Sequence, residues 1–168
     1  VGVGSMAALL GVDMQQAAEV AKEAAQGQVC ATANDNSVGQ VVISGHKEAI
    51  ERAVAIAATK GFKRSVILPV SAPFHCSLMQ PAADVMQDAL AHVKMNPPIV
   101  PVIANVTASE QTDVNEIRKL LVEQVTGAVR WRESMLYLKT KGVEGAIEAG
   151  SGTVLAGLMK RIDKDIQV

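Results

Sequence analysis

Aromatic residues are the scarcest class in this sequence, whose 168 residues include two Phe, one Tyr and one Trp. Sheets that bind single-stranded RNA stack the bases on aromatic side chains, and residues 5–44 contain none. Basic residues are not in excess either, because 16 Lys and Arg stand against 17 Asp and Glu. Proteins that bind the phosphate backbone normally carry a clear basic surplus. We therefore expect no nucleic-acid partner.

Cysteines and long apolar runs are also few. The two cysteines, Cys30 and Cys76, predict free thiols in a reducing cytoplasm rather than a disulfide framework. No apolar run reaches the roughly 18 residues that a membrane-spanning helix needs, so we expect no membrane contact. Cys76 directly follows His75, but adjacent side chains lack the further ligands of a closed metal site. The sequence therefore predicts no metal site.

The first 68 residues alternate between strand-like and helical spacing of apolar residues. With 49% apolar residues and so few aromatics, the core has to consist of Ala, Val, Ile, Leu and Met. The predicted elements are a strand over 5–11, a helix opened by a capping box at Asp13 and Gln16, a strand over 29–33, a turn over 34–39, a strand over 40–44, a helix over 48–60 and a strand over 63–68. This βαββαβ order predicts a ferredoxin-like subdomain over residues 1–68.

Residues 69–168 have a different rhythm, with several helical stripes and few strand-like runs. The predicted elements are helices over 77–93, 113–125, 131–141 and 153–163, and strands over 99–106 and 143–149. Helices that alternate with short strands favour a layered α/β lobe. Since so few strands accompany these helices, residues 69–168 are predicted to form only part of such a lobe.

His75 lies in the most informative stretch, a loop between the predicted strand 63–68 and the predicted helix 77–93. Pro69 and Pro73 each fix φ, so a stiff backbone presents the imidazole. Catalytic bases are usually placed on loops held by rigid elements, and an imidazole exchanges protons near neutral pH. A histidine that merely begins the next helix gives the same pattern. The residues alone leave both interpretations open.

Five stretches, in the same order along the chain, carry a resemblance that covers nearly all 168 residues. They are Val3–Ala8, Asn34–Gly45, Leu68–Met79, Gln124 with Val129–Trp131, and Glu148–Leu155 with Gly157–Leu158. Together they resemble the malonyl-CoA:acyl carrier protein transacylases and related acyltransferase domains. The sequence departs from that family at Val38 and Ser151, where Pro is common. Both positions are predicted loops, so the departures concern local turn geometry.

The resemblance implies an α/β fold, in which the C-terminal part of an α/β-hydrolase-like acyltransferase lobe accompanies the ferredoxin-like subdomain. It implies that His75 is the general base and acid of acyl transfer, and that the main-chain carbonyl of Gln124 orients its ring. By pattern alone, Gln124 is a polar residue near a helix end. The resemblance also implies that the serine nucleophile precedes Val1, and the sequence has no Gly-x-Ser-x-Gly elbow of its own.

Three further residues are candidate substrate contacts. Asn34 and Asn36 lie in the predicted turn, where they fit plain turn formers; the resemblance implies that this turn faces the active-site cleft, where their amides can bind a thioester or a pantetheine. Phe74 directly precedes His75, and in related acyltransferase domains a Phe there accompanies malonyl rather than methylmalonyl substrates. The residues alone fit loop packing equally well.

The predicted function is therefore malonyl transfer from coenzyme A to the phosphopantetheine thiol of acyl carrier protein, through an acyl-serine, in cytoplasmic fatty-acid biosynthesis. The expected partners are malonyl-CoA, acyl carrier protein and the N-terminal half of the same enzyme, with no cofactor besides the coenzyme A thioester. The alternative is a non-catalytic ferredoxin-like module that binds a small metabolite. It would explain residues 1–68 but would leave the His75 loop without a role.

Overall fold

The computed structural model describes residues 2–62 and 64–168. Lys63, the first residue of the predicted strand 63–68, and Val1 lie outside the described residues. Within the described residues, no helix combines the length and apolar character that crossing a membrane demands.

The first part of the chain forms a four-stranded sheet covered on one face by two helices. Its elements are β1 (Gly4–Leu10), α1 (Met14–Ala25), β2 (Cys30–Ser37), β3 (Gln40–His46), α2 (Lys47–Thr59) and β4 (Arg64–Ile67). The sheet order is β2-β3-β1-β4, and each of these pairs is antiparallel. The predicted βαββαβ order and the mixed α/β class are both confirmed.

The core lies between the sheet and the helices α1 and α2. The predicted capping box starts α1: the Asp13 carboxylate accepts from the Gln16 N–H at 2.8 Å, and the Gln16 side chain accepts from the Asp13 N–H at 3.0 Å. The small residues of α1 and α2 let both helices approach the sheet closely, which compensates for the missing aromatics. The fully buried members include Ala7, Leu9, Ala17, Val20, Val41, Ile43, Ile50 and Ala53.

The predicted turn over 34–39 is wrong for most of its length. Strand β2 continues to Ser37, so that Asn34 and Asn36 are strand residues and the turn is confined to Val38 and Gly39. The pairing with β3 tolerates these turn-forming residues because its register shifts twice, between Thr32 and Asn34 and between Asp35 and Ser37. Such irregularities bend the edge strand and let it carry residues that a regular strand disfavours.

The remaining chain is mainly helical and packs against the edge strand β2 through its last two helices. Its elements are a 3₁₀ turn (Ser77–Met79), α3 (Gln80–Ala91), β5 (Val102–Ala104), β6 (Ser109–Gln111), α4 (Val114–Thr126), α5 (Trp131–Thr140) and α6 (Val154–Ile162). The four predicted helices are present, although the first begins as the 3₁₀ turn and ends at Ala91. Asp113 caps α4 by accepting from the Glu116 N–H at 2.8 Å.

Two predicted strands of this part differ from the structure. The run 99–106 contributes only Val102–Ala104, which pairs in a small hairpin with the unpredicted strand β6. The run 143–149 contains no strand; a single parallel bridge joins Gly145 to Gln167. The Glu148 carboxylate instead accepts from the first amides of α6, those of Leu155 at 3.0 Å and Ala156 at 2.9 Å. An apolar run forms an extended strand only where a neighbouring strand pairs with it.

Candidate active site

The His75 loop is anchored to the first strand of the sheet. A Cβ added at Gly4 would lie 2.2 Å from Cγ of Pro73, so only glycine lets the loop approach β1 this closely. The thiol of the buried Cys76 donates to the Pro73 carbonyl at 3.2 Å, which closes the loop on itself. Pro73 thus contacts β1 on one side and accepts from Cys76 on the other, and its stiffening of the backbone two residues before His75 stays a prediction.

The half-buried His75 adopts a left-handed backbone conformation with φ of 59°. Residues other than glycine seldom occupy this region, and those that do cluster at functional sites. Nδ1 of the ring lies 2.9 Å from the main-chain carbonyl of Gln124 and 3.1 Å from that of Gly127. Two carbonyl oxygens can only accept, so Nδ1 carries the proton of the neutral ring. The ring nitrogen Nε2 is then left with the lone pair that a general base needs.

The structure thus brings His75 and Gln124 together, although 49 residues separate them in the sequence. Sequence reasoning missed Gly127, the second carbonyl. A Cβ there would lie 2.7 Å from Cγ1 of Val106 and 2.9 Å from the Glu123 carbonyl oxygen. The glycine lets the chain turn tightly out of α4 while its own carbonyl points back to the imidazole. A glycine directly after a predicted helix was the only signal for it in the sequence.

The segment that follows Gly127 attaches to the free edge of the sheet. Val129 forms a parallel bridge with Asn34. Its N–H donates to the Ala33 carbonyl at 2.8 Å, and its carbonyl accepts from the Asp35 N–H at 2.8 Å. The edge strand β2 therefore holds the chain that supplies both carbonyls to His75.

An ion pair between a buried aspartate and a half-buried arginine lies beside this bridge. Asp35 is 1% exposed, and its two carboxylate oxygens each lie 3.0 Å from Nε of Arg132. Nη2 of Arg132 lies 2.8 Å from Oδ2. The hydrogen bond to Asp35 raises the pKa of Arg132 above its usual value. Sequence reasoning missed this pair, since it interpreted Asp35 as a turn former.

The neighbouring Arg130 makes a separate set of contacts. Its side chain pairs with Glu133 on the first turn of α5, and this hydrogen bond holds the pKa of Glu133 below its usual range. Nη1 of Arg130 also donates to the Val106 carbonyl at 3.3 Å. The two arginines of this segment are thus both matched by carboxylates. Neither presents an uncompensated charge beside His75.

Asn34 and Asn36 lie on the same edge strand but differ in placement. Asn34 pairs in register with Val42, which belongs with Met6 and Ala8 to the apolar cluster on the sheet face away from α1 and α2. Asn36 falls in a register shift and has no partner on β3. Both side chains are half-buried. Within the described residues, no hydrogen bond joins either amide to His75, so their substrate role stays a prediction.

Phe74 directly precedes His75, and 39% of its surface is accessible to solvent. Its N–H donates to the Ala72 carbonyl at 3.1 Å, so the backbone of the loop is ordered while the ring faces outward. An exposed ring beside the base has room to contact a substrate. Its role in selecting malonyl also stays a prediction.

Nothing in the described residues suggests a metal centre: no three His, Cys, Asp or Glu side chains are grouped to hold an ion. The functional groups that the structure brings together are the imidazole and the main-chain carbonyls that fix its tautomer. An imidazole held in one tautomer can deprotonate a hydroxyl or thiol and return the proton to a leaving group. The nucleophile itself is not among the described contacts of His75.

Several known proteins are similar to this chain. No family model matches the chain. The malonyl CoA-acyl carrier protein transacylase of Escherichia coli K12 is 49% identical over 161 residues, which are 96% of this chain and 52% of that protein. The chain matches the C-terminal half of the malonyl-CoA:acyl carrier protein transacylases. It spans about half the length of the curated relatives it matches.

Solved structures agree with the sequence comparison. The acyl-carrier-protein S-malonyltransferase of Bartonella henselae superposes with a TM-score of 0.95 at 51% identity, covering 100% of this chain and 55% of that one. A malonyl-transacylase solved in complex with its type II PKS acyl-carrier protein superposes with a TM-score of 0.95 at 41% identity, covering 99% of this chain and 54% of that one. The resemblance inferred from the five sequence stretches is confirmed. The names of these relatives are those of acyltransferases and not of a non-catalytic binding module.

Proposed function

We propose that this chain supplies the general base of a malonyl-CoA:acyl carrier protein transacylase, and that a segment bearing a serine elbow completes the site. The observation that carries the proposal is the pair of main-chain carbonyls at Nδ1 of His75, 2.9 Å and 3.1 Å away. They leave Nε2 free to accept a proton from a nucleophile. The similarity to transacylases over 96% of the chain supports the same reaction.

In the proposed reaction, Nε2 of His75 takes the serine hydroxyl proton as the oxygen attacks the thioester carbonyl of malonyl-CoA. The tetrahedral intermediate breaks its C–S bond, and the imidazolium returns the proton to the departing coenzyme A thiol. The acyl-serine then transfers malonyl to the phosphopantetheine thiol of acyl carrier protein. In that step Nε2 takes the thiol proton and gives it to the serine oxygen as the C–O bond breaks. Protons and acyl group balance without a further reactant.

The proposed partners follow from this reaction. Malonyl-CoA and acyl carrier protein are the two substrates, and the N-terminal half of the same enzyme provides the nucleophile. Phe74, Asn34 and Asn36 are the proposed contacts to the acyl and pantetheine groups. We place the reaction in the cytoplasm, where the two cysteines, both free in the structure, stay reduced. The product serves fatty-acid synthesis.

Fragment complementation tests the proposal. The 168-residue chain is purified alone, and also co-expressed with the N-terminal half of the Escherichia coli transacylase; transfer of malonyl to acyl carrier protein is followed by intact-protein mass. We expect no transfer by the chain alone and measurable transfer by the complex. The matched control replaces this chain with the C-terminal half of the Escherichia coli protein. If that control complex is active while a complex of equal stoichiometry with this chain is not, the proposed function is wrong.

A further inference from the structure

The segment from Gln124 to Arg132 connects the imidazole to the sheet. At its start, the carbonyls of Gln124 and Gly127 hold Nδ1 of His75. At its end, the guanidinium of Arg132 holds the Asp35 carboxylate. We call residues 124–132 the strap. Both ends of the strap therefore have defined partners, the imidazole at one end and a residue of β2 at the other.

Asp35 fixes the strap at two points at once. Its main-chain N–H donates to the Val129 carbonyl at 2.8 Å, while its side chain accepts from Arg132, three residues further along the strap. Two attachments from one rigid strand residue restrict both the position and the rotation of the bound segment. The strap has two further backbone attachments, from the Val129 N–H to the Ala33 carbonyl at 2.8 Å and from the Arg130 N–H to the Asn105 carbonyl at 3.0 Å. The ion pair adds the attachment at Arg132, the far end of the strap.

The ion pair differs from a solvent-exposed salt bridge in the burial of Asp35 and in the geometry of its contact with Arg132. Asp35 is 1% exposed, so its charge depends on Arg132 for compensation. The planar guanidinium contacts both carboxylate oxygens, a geometry that lysine cannot reproduce. Among the described residues, the side-chain hydrogen bonds of Arg132 all go to Asp35. Arg130, two residues earlier, is matched with Glu133 and does not compete.

We propose that the Asp35–Arg132 pair is a positioning device for His75: by fixing the strap on β2, it keeps the Gln124 and Gly127 carbonyls at Nδ1 and so selects the tautomer that leaves Nε2 as the base. The two residues act through the strap and touch neither the ring nor a substrate. The catalytic meaning of the proposal rests on the proposed function. The tautomer itself does not, because it can be measured without nucleophile or substrate.

The three histidines of the chain provide the measurement and its internal controls. Nδ1 of His46 accepts from the Val29 N–H at 2.9 Å, so His46 must carry its proton on Nε2. His75 is expected to carry its proton on Nδ1, and the exposed His92 reports an unconstrained ring. Long-range ¹H–¹⁵N correlation spectra of the 168-residue chain, at a pH where the rings are neutral, distinguish the two tautomers directly.

Four variants test the pair. Asp35→Asn and Arg132→Gln remove one charge each, and Arg132→Lys keeps the charge but loses the planar fork. Val20→Ala is the matched control, since Val20 is buried in the core between α1 and the sheet. We expect Asp35→Asn and Arg132→Gln to shift His75 toward the Nε2–H tautomer, Arg132→Lys to shift it less, and Val20→Ala to lower the melting temperature without a shift.

Each of the following results supports or overturns the positioning role of the ion pair. An Nδ1–H signal of His75 that is fully retained in a folded Arg132→Gln chain, or a shift in Arg132→Lys larger than that in Arg132→Gln, would show that the pair is only a stabilising contact. A His75 shift of equal size in Val20→Ala would show that the tautomer follows overall stability, which also overturns the proposal. If Asp35→Asn does not fold, the two arginine variants still decide. A failed complementation assay beside the expected tautomer shifts would reject the proposed function and leave the positioning role intact.

Discussion

The two parts of the chain divide stability and chemistry between them. The sheet region, residues 4–62 and 64–67, buries most of the apolar core, whose members are largely inaccessible to solvent. The loop-and-helix region, residues 68–168, has fewer buried residues and leaves large side chains such as Ile99 and Ile147 at 101% and 93% exposure.

The difference shows how the site is built. His75 and the carbonyls that hold it belong to the loop-and-helix region, yet Gly4 of β1 accommodates the His75 loop and β2 holds the strap. The position of His75, in the region with fewer buried residues, therefore depends on its contacts with the well-packed sheet region. This is the arrangement expected when functional residues lie on loops positioned by a rigid scaffold.

The largest expected effect is on the rate of malonyl transfer, with little change in thermal stability. In the complemented enzyme, His75→Ala should lower the rate of malonyl transfer by about 10²–10⁴-fold, the usual loss when a general base is removed. The half-buried ring contributes little to the core, so the thermal unfolding profile should hardly change. Steady-state kinetics and thermal unfolding of the same preparation give both numbers. A near-normal rate would mean that His75 is a structural residue.

A matched pair of substitutions should separate the two regions in stability. Ile50→Ala, in the core of the sheet region at 0% exposure, should cost about 2–5 kcal/mol because it leaves a cavity. Ile147→Ala makes the same chemical change at 93% exposure and should cost less than about 0.5 kcal/mol. Urea unfolding of both variants gives the comparison. Equal losses would contradict the contrast in packing between the regions.

Phe74→Ser tests whether the loop-and-helix region selects the acyl group of the substrate. The exposed ring beside the proposed base would crowd an α-methyl group on the substrate. Removing it should raise kcat/KM for methylmalonyl-CoA relative to malonyl-CoA, by a factor within the roughly 1–3 kcal/mol that one methyl group is worth. The ratio is measured in the complemented enzyme, with Val70→Ser, another exposed residue of the preceding segment, as control. An unchanged ratio would remove Phe74 from the acyl pocket.

The smallest expected effect concerns the thiol of the sheet region. Burial raises the pKa of Cys30 from 9.0 to about 11, although Arg52 opposes the shift. Between pH 9 and pH 11 the unfolded thiol ionises while the folded one stays neutral, so stability present below pH 9 is lost as the pH rises. Urea unfolding across this range should show a shallower decline for Cys30→Ala. Parallel declines in the two proteins would mean that Cys30 ionises equally in both states.

Much of the sheet region could be predicted from the sequence, because its signals are local. The capping box of Asp13 and Gln16 and the regular apolar spacing fix α1 and its neighbours without long-range information. The exception is β2, where Asn34, Asp35 and Asn36 favour a turn by propensity. Pairing with β3 on one side and with Val129 on the other overrides that propensity.

The loop-and-helix region was harder to predict because its strands depend on distant partners. The apolar runs 99–106 and 143–149 suit strands, but the first pairs only over Val102–Ala104 and the second is held by one bridge and by Glu148. The site shows the same limit. The loop made His75 a candidate, and the resemblance gave the roles of His75 and Gln124, whereas Gly127, Asp35 and Arg132 act through contacts between residues far apart in the chain.

Native-state hydrogen exchange of the 168-residue chain tests the division between the two regions most directly. Amides that exchange only on global unfolding mark the most stable unit, and amides of looser regions exchange through local opening at lower free energy. We predict that the slowest amides lie in β1, β3, α1 and α2, and that those of α3, β5, β6 and α6 exchange well before them. If the slowest amides lay instead in the helices of the loop-and-helix region, that region would be the stable core, and this account of how His75 is positioned would be contradicted.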